Sequence, residues 1–469
     1  MLRPYVFMPA SLGPSVPAPL RVCVQIRPTV TDLKRSLRLF DGLAMVVGIM
    51  VGSGIFRTPG LVAAQLGRAW LTFVAWVLGG ALAFLGALCF AELATRHPRA
   101  GGKYVYVREA FGSRAGFVVG WVEALGMYTA AIAAIGVAAA EFLVRLTGSG
   151  TAAIPWLGAA LVALFTGVNL IGVASGRWVQ NLVTAAKLLA LGGVVVVAFA
   201  RGTGAGWHGE LVDPPRGVAV WAALALAAQS VIWTYYGYPD AAKIAEEVVN
   251  PGRTLPHVFL GGIAIVTALY LLLNAAFLHV LPLAQIAASN LVAADVANAI
   301  VGAKAGAVVA ALALLVVLAS LNGNIFVTPR VLFGLAREGL APRALARVNP
   351  GGTPWVAMLL VGAVAIALAA TGTFERLLTL AIALVLVIDG LTVASLFRLR
   401  AAGEPPAPFS VPAYPALPLV FIGVYLVLFV GTALGQPLTV LVALGVLGVA
   451  WGLSWTVGQA RSSPRESPG

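Results

Sequence analysis

Charged residues are scarce in this chain. Asp, Glu, Lys and Arg make up 10% of its 469 residues, whereas a typical soluble domain carries about 25%. Hydrophobic residues make up 60%, and the mean hydropathy is +0.96. This composition excludes an ordinary soluble enzyme, a disordered chain and a nucleic-acid-binding protein, in spite of a formal net charge of +13. In a membrane protein, a surplus of Lys and Arg belongs to cytoplasmic loops.

Cysteine and histidine are also few. The two cysteines, Cys23 and Cys89, give no disulfide framework, and the four histidines lie far apart in the sequence. Metal centres and nucleophile–base sites need clusters of such residues. We therefore expect no metal site, no cofactor and no enzymatic activity.

Long apolar runs dominate the chain instead. A membrane-spanning helix needs ~20 mostly apolar residues, and the sequence predicts twelve such spans, numbered here in chain order: 39–66, 70–95, 115–146, 154–173, 178–200, 218–240, 257–281, 303–336, 354–371, 374–397, 413–434 and 437–458. Residues 1–36 lack an apolar core followed by a cleavage site. We expect a flexible cytoplasmic tail at 1–36, one twelve-helix domain at 37–459 and a cytoplasmic C-terminal tail at 460–469.

The basic residues predict the orientation of these spans. If the N-terminus is cytoplasmic, Lys and Arg are about three times as frequent in the inner segments as in the outer ones. Cytoplasmic loops carry such an excess. The sequence therefore predicts an integral protein of the inner or plasma membrane, with the lipid bilayer around it and both termini in the cytoplasm.

Span 1 contains a point at which a helix is weak, because Gly52, Ser53 and Gly54 follow one another at its centre. A broken backbone inside the membrane is tolerated where it lines a cavity. The break would free N–H groups at the start of the second half-helix, and this positive end suits a carboxylate. The alternative is close helix packing, which small residues also permit.

Span 6 contains a second interruption, at Gly237 and Pro239. Proline removes a hydrogen-bond donor and clashes with the preceding turn. Paired interruptions at corresponding positions of two halves indicate the binding site of a transporter. The pattern predicts two inverted five-helix repeats, spans 1–5 and 6–10, followed by two additional helices.

The two breaks predict a zwitterionic ligand. The N–H groups of Ser53 and Gly54 would bind its carboxylate. Freed carbonyl groups near Met50 and Val51, and near Trp233 and Tyr236, would bind its ammonium. Trp233 is a candidate lid, or an ordinary packing residue, and Asp240 either caps the second half of span 6 or binds a cationic substrate side chain. The candidate substrate-binding residues are Met50, Val51, Gly52, Ser53, Gly54, Trp233, Tyr236 and Gly237.

Lys187 stands in the middle of span 5. Ten residues, ~15 Å of helix, separate it from Arg177, so that it lies beyond easy reach of either interface. A charge at this depth costs ~3 kcal/mol unless it has partners. Lys187 could replace a sodium ion by bonding to span 1 carbonyls and to Ser320, could exchange a proton, or could form a structural pair. Glu123 and Asp389 are further candidates for proton relays.

Several segments between predicted spans 1 and 9 have the character of family motifs. They are Val47–Phe56, Pro98–Gly112, Trp178–Asn181 with Thr184–Lys187, Glu246–Pro256, Arg337–Pro342 and Thr353–Trp355. In this order, they resemble the motifs of the amino acid–polyamine–organocation superfamily of permeases, in particular its L-type amino acid transporter branch.

The resemblance implies the all-α fold with inverted repeats and the transport of amino acids by alternating access. It implies that Ser53 and Gly54 bind the carboxylate, that Trp233 is the aromatic gate, and that Tyr236 and Gly237 belong to the unwound sixth helix. It places Lys187, with Ser320 as its partner, where sodium-dependent relatives bind their ion, so no sodium site is expected there. The chain departs from L-type members at Tyr236, Tyr238, Pro239 and Asp240, where these have small residues and Asn.

The sequence leaves two alternative functions open. One is a polyamine or organic-cation permease of the same fold, with amines held by Asp240 and Glu123. Another is an amino-acid sensor without flux. For a transporter, proton symport, obligate exchange and facilitated diffusion all fit, so protons are a candidate partner beside the amino acid.

Overall fold

The computed structural model describes residues 35, 37–99, 101–171, 177–204, 206–211, 218–350, 353–403 and 405–460. The predicted tails, 1–36 and 460–469, lie outside these ranges except for two residues, Arg35 and Ala460. Ala460 is the last residue of the last helix. Regular structure in the described residues is helical, and two isolated β-bridges are the extended pairings within them. The predicted all-α class is therefore confirmed.

Eighteen α-helices occur in the described residues. They are α1 (Leu39–Met50), α2 (Gly54–Leu66), α3 (Ala69–Arg96), α4 (Lys103–Phe111), α5 (Ser113–Trp121), α6 (Tyr128–Thr147), α7 (Ile154–Ile171), α8 (Arg177–Arg201), α9 (Val218–Tyr235), α10 (Pro251–Val280), α11 (Leu283–Ala288), α12 (Val292–Val301), α13 (Ala303–Val327), α14 (Pro329–Arg337), α15 (Trp355–Thr371), α16 (Phe374–Ala401), α17 (Ala416–Gly435) and α18 (Pro437–Ala460). A π-helical segment, Val122–Met127, joins α5 to α6, and a 3-10 segment, Tyr238–Glu247, follows α9.

In the described residues, helix covers most of each of the twelve predicted spans. Nine helices of the described residues are long and apolar enough to cross a membrane, and the bent pair α1 and α2 makes a tenth. The helices at predicted spans 6 and 9, α9 and α15, are not among these ten; α15 has 17 residues. The chain is therefore a multi-pass membrane protein.

Burial separates the helices at the centre from those at the periphery. In the stretch that contains α5, the π segment and α6, 89% of the most apolar window is buried, compared with 22% for α17 and for α18. Small residues let α6 approach its neighbours; a Cβ on Gly136 would lie 3.1 Å from the carbonyl oxygen of Gly158 in α7. Large apolar side chains such as Leu438 and Trp156 are exposed, as expected for surfaces that lipid covers.

Two contacts identify the opposite ends of the bundle. Leu37, just before α1, forms a β-bridge with Val248 at the end of the 3-10 segment, and the N–H of Val249 donates to the Leu37 carbonyl at 2.9 Å. We call this end the α1 face. At the far end of span 1, Arg68 lies 3.4 Å from Glu210. The start of span 1 and the end of the 3-10 segment that follows α9 are therefore in contact at the α1 face.

Candidate functional site

The first helix breaks where the Gly-Ser-Gly sequence predicts. α1 ends at Met50, α2 begins at Gly54, and the axes of the two helices differ by 43°. The N–H groups of the first turn of α2 have no partner within their own helix. Among the described backbone hydrogen bonds, none is donated by Ser53 or Gly54. The break therefore presents free donors at a positive helix end.

The second break lies between α9 and the 3-10 segment. α9 ends at Tyr235, and Gly237 adopts a φ of +130°, a conformation that favours glycine. A Cβ on Gly237 would lie 3.2 Å from the backbone nitrogen of Met50, and a Cβ on Gly54 would lie 2.8 Å from the Cα of Thr234. The two broken helices thus pack directly against each other, and these glycines permit the close approach.

A cavity of about 50 Å³ lies at this contact, several times the ~10–15 Å³ that a single water needs on the same measure. Seven of the eight predicted substrate-binding residues line it, and Val51 is the exception; Ser320 lines it as well. The lining residues are Ile49, Met50, Gly52, Ser53, Gly54, Met127, Tyr128, Ala131, Ile135, Trp233, Tyr236, Gly237, Asp240, Ser320, Asn324, Ala381 and Val385.

One wall of the cavity was not foreseen from the sequence. It is made by Met127 at the end of the π-helical segment, by Tyr128, Ala131 and Ile135 of α6, which continue at helical spacing, and by residues of α16. These side chains are mostly apolar in an apolar span. Their spacing alone marks one face of a helix and does not distinguish a cavity wall from ordinary core packing.

The carbonyl groups at the breaks differ in what they can still bind. The Met50 oxygen accepts from the Tyr270 hydroxyl at 2.8 Å, and the Val51 oxygen accepts from Lys187 at 3.3 Å. The Trp233 oxygen accepts from the N–H of Tyr236 at 3.2 Å. In the described residues no hydrogen bond ends on the Tyr236 oxygen. Free acceptor capacity is thus greatest at the second break.

Lys187 lies behind the first break. Its Nζ donates to the carbonyl oxygens of Gly48 at 3.2 Å and Val51 at 3.3 Å, and its side chain is buried. Thr184, one turn earlier, donates to the Ala44 carbonyl at 3.1 Å. The expected partner Ser320 instead lies across the break, where its Oγ would be 3.0 Å from a Cβ on Gly52. The hydrogen bonds recorded for Lys187 do not include one with Ser320.

A buried group of charged and tyrosine side chains adjoins the cavity on the side of the α1 face, and we call it the ion network. It consists of Lys103, Glu123, Tyr128, Tyr236, Asp240, Lys243 and Asp389. Lys103 Nζ lies 2.7 Å from Asp389 and also contacts the Tyr236 hydroxyl. Tyr236 donates to Asp389 at 3.3 Å. These contacts connect α4 with α16 and with the second break.

The other half of the network is centred on Lys243. Its Nζ lies 2.8 Å from Asp240 and 3.4 Å from Glu123, and it faces the Tyr128 ring at 3.7 Å. Tyr128 donates to Asp240. Asp240 therefore does not act as the helix cap considered above: Gly237 holds the cap position of the 3-10 segment, and no side-chain capping bond is present there.

A second charged group lies on the opposite side of the cavity, one turn beyond the first break. Arg57 of α2 lies 3.2 Å from Glu141 of α6 and 2.6 Å from Glu375 of α16. Its guanidinium is also 5.6 Å from the Phe374 ring centre. This triad joins α2 to α6 and α16. The cavity thus lies between two ionic groups.

Comparison with known proteins shows to which family this chain belongs. The family model described as amino acid permease matches residues 37–454, which is nearly the whole chain. The chain belongs to the amino acid permease family. The permease is 30% identical over 434 residues to the serine/threonine exchanger SteT of Bacillus subtilis (strain 168), covering 90% of this chain and 97% of that protein.

Mammalian transporters are similar as well. The b(0,+)-type amino acid transporter 1 of Mus musculus is 29% identical over 416 residues, with 87% of this chain and 84% of the relative covered. The Asc-type amino acid transporter 1 of Mus musculus is 31% identical over 326 residues, covering 68% and 61%. The predicted resemblance to L-type permeases is confirmed, and the expectation that the protein is not an enzyme agrees with these transporter relatives.

Proposed function

We propose that this permease carries a small neutral amino acid across the cell membrane by alternating access. The observation that carries the proposal is the meeting of two broken helices at one cavity. The first break offers unpaired N–H groups of Ser53 and Gly54 to a carboxylate. The second break offers the carbonyl of Tyr236 and the carboxylate of Asp240 to an ammonium group. A zwitterion matches this opposite polarity.

The proposed topology has twelve crossings. α9 and α15 complete the ten spans described above, the helices form two inverted five-helix repeats with two added helices, and the α1 face is cytoplasmic. The excess of Lys and Arg in the loops supports this orientation. The residues of the two breaks, including Met50, Val51, Gly52 and Gly237, shape the site.

The proposed substrate is small and without a net charge. The confined cavity between the two breaks favours small side chains, and the relatives include a serine/threonine exchanger. A polyamine, which has at least two ammonium groups, is disfavoured because Glu123, its second candidate anchor beside Asp240, does not line the cavity and faces Lys243. Trp233 lies on the cavity wall as the proposed aromatic gate.

We propose that the ammonium group of Lys187 occupies the position that a bound cation would otherwise occupy. Its ammonium joins the carbonyls at the end of α1, which is a position suited to a sodium ion. We infer that it holds the first break in its unwound form without sodium. Ser320, across the break from Gly52, completes the polar surroundings there.

The test is uptake into proteoliposomes that contain the purified permease. Labelled serine, threonine, alanine, leucine, arginine and putrescine are compared, with and without unlabelled internal substrate and with and without a pH gradient. Saturable uptake of a small neutral amino acid above that of empty liposomes supports the proposal. Uptake of putrescine alone supports the organic-cation alternative, and binding without flux supports a sensor.

A further inference from the structure

The ion network carries an unequal number of charges. It contains three carboxyl groups, Glu123, Asp240 and Asp389, and two ammonium groups, Lys103 and Lys243. Each of these residues is buried or has a side chain that is at most 8% exposed. If all five are ionised, one negative charge is left without a counter-charge. A buried charge without a partner is costly, so the network needs a further cation.

The contacts locate the surplus charge at Glu123. Lys103 forms an ion pair with Asp389 at 2.7 Å. Lys243 lies closer to Asp240, at 2.8 Å, than to Glu123, at 3.4 Å. Among the buried side chains of the described residues, Glu123 is a carboxyl group neither of whose oxygens has a hydrogen-bond partner. It stands in the π-helical segment, a type of irregularity frequent at functional sites.

The position of Glu123 restricts the identity of this cation. Glu123 is 0% exposed and is not among the residues that line the cavity, whereas Asp240 lines it. A substrate ammonium in the cavity can therefore approach Asp240 but does not reach Glu123. A proton fits at Glu123, because protonation removes the charge without requiring additional space.

We propose that Glu123 binds a proton and that this proton competes with the ammonium group of the transported amino acid. The competition runs through Lys243, which is shared between the two carboxylates. With Glu123 protonated, Lys243 neutralises Asp240 alone, and the cavity wall has no net charge. With Glu123 ionised, Lys243 is divided between both, and Asp240 presents negative charge to the cavity. This inference rests on the proposed amino acid site.

Other titratable groups surround Glu123. Their pairing and their ordinary pKa values favour Glu123 as the group that changes its charge. Lys103 and Asp389 form a close pair, and the ordinary pKa of a tyrosine hydroxyl is about 10. The groups that interact with Glu123 electrostatically or by contact are Lys103, Tyr104, Tyr106, Tyr128, Tyr236, Lys243 and Asp389, with Asp240 in contact through Lys243.

The direct test is proton release from the wild-type protein. A mixture of L-serine, L-threonine and L-alanine is added to purified permease in weakly buffered solution that contains a pH-indicator dye. Binding is measured in parallel by calorimetry between pH 5 and 8. We expect proton release on binding, and an apparent affinity that falls by up to about tenfold per unit of decreasing pH where Glu123 is protonated.

Variants then assign the released proton. Glu123→Gln has nearly the shape of the protonated carboxyl group and should bind without releasing protons, with an affinity that varies less than about twofold over the same pH range. The control Glu210→Gln alters an exposed carboxylate paired with Arg68 and should behave like the wild type.

The outcomes separate this inference from the proposed function. Binding by the wild type without proton release, or with proton uptake, overturns the inference alone, and so does a Glu123→Gln variant that releases protons like the wild type. Absence of amino acid binding at every pH overturns the proposed function and the inference with it. If Glu123→Gln does not fold, binding by the wild type without proton release still overturns the inference.

Discussion

The ammonium group of Lys187 lies 3.2 Å from the carbonyl oxygen of Gly48, in the last turn before the first helix break. Its second bond, to Val51, reaches into the break itself. One side chain of α8 therefore satisfies two carbonyls of span 1 that lack helical donors. The same contact explains how a lysine is accommodated at membrane depth, because its charge is used to bind backbone oxygens.

Lys187→Met should lower transport strongly while leaving membrane insertion intact, because the methionine fills the space but leaves both carbonyls unpaired. A hydrogen bond to a charged group contributes ~1.5–3 kcal/mol, and 1.4 kcal/mol corresponds to about tenfold. We therefore expect a loss of about tenfold or more in initial uptake rate. Lys304→Met, at an exposed position, is the control. Equal rates for Lys187→Met and the wild type would exclude this role.

Wild-type uptake should not depend on sodium. The proposed reason is that Lys187 supplies the positive charge at the first break. Uptake is measured with external sodium replaced by choline at constant ionic strength, and we expect the same initial rate in both media. A rate that requires sodium would show that Lys187 does not replace the ion.

Gly54→Ala should weaken substrate binding. The new Cβ would lie 2.8 Å from the Cα of Thr234, so the two broken helices must separate at the backbone. Overpacking of this kind costs ~1–3 kcal/mol, and we expect affinity to fall by about tenfold. Gly192→Ala is a matched control, because a Cβ there has no neighbouring atom within 4 Å. Affinity is measured by calorimetry on protein that elutes as a single species. Unchanged affinity in Gly54→Ala would contradict the proposed site.

The positions of both breaks could be read from the sequence because local residues cause them. Glycine and serine weaken span 1 at residues 52–54, and Gly237 with Pro239 interrupts span 6; the observed helices end at Met50 and Tyr235. The depth of Lys187 in span 5 left several interpretations open, and the observed contacts agree with the one in which it binds carbonyls of span 1.

Contacts between distant segments could not be read in this way. The sequence predicts that carbonyls near Met50 and Val51 bind a substrate ammonium, but Tyr270 and Lys187 already donate to these two oxygens. Lys103 lies between predicted spans 2 and 3, yet it pairs with Asp389, which follows it by 286 positions. Such pairings depend on how helices are arranged in space, and no local pattern records them.

Arg57→Met should open the cavity towards the face opposite α1. The substitution removes the cation that joins α2 to Glu141 and Glu375, and it leaves two carboxylates that repel each other. The accessibility of Ile135→Cys on the cavity wall is measured with a membrane-impermeant maleimide in a Cys23→Ser background. We expect labelling to be several-fold faster than with Arg57 in place.

The control for this experiment is Arg145→Met, which breaks the more exposed pair between Arg145 and Asp295. Exposed ion pairs contribute ~0–1 kcal/mol, so labelling at position 135 should stay at the reference rate. If Arg57→Met also leaves that rate unchanged, the Arg57 triad does not close this side of the cavity.

Lys103→Met and Asp389→Asn should each destabilise the permease, and combining them should restore part of the loss. Either single change leaves a buried charge whose partner is gone, which typically costs ~3–5 kcal/mol. The double change removes one charge of each sign and keeps the charge balance of the ion network. Thermal unfolding in detergent is measured for both single variants, the double variant and the wild type.

The control is Arg99→Gln, in an exposed pair with Glu109, which should change stability by less than ~1 kcal/mol. A double variant no more stable than the weaker single variant would mean that the two residues do not act as a pair.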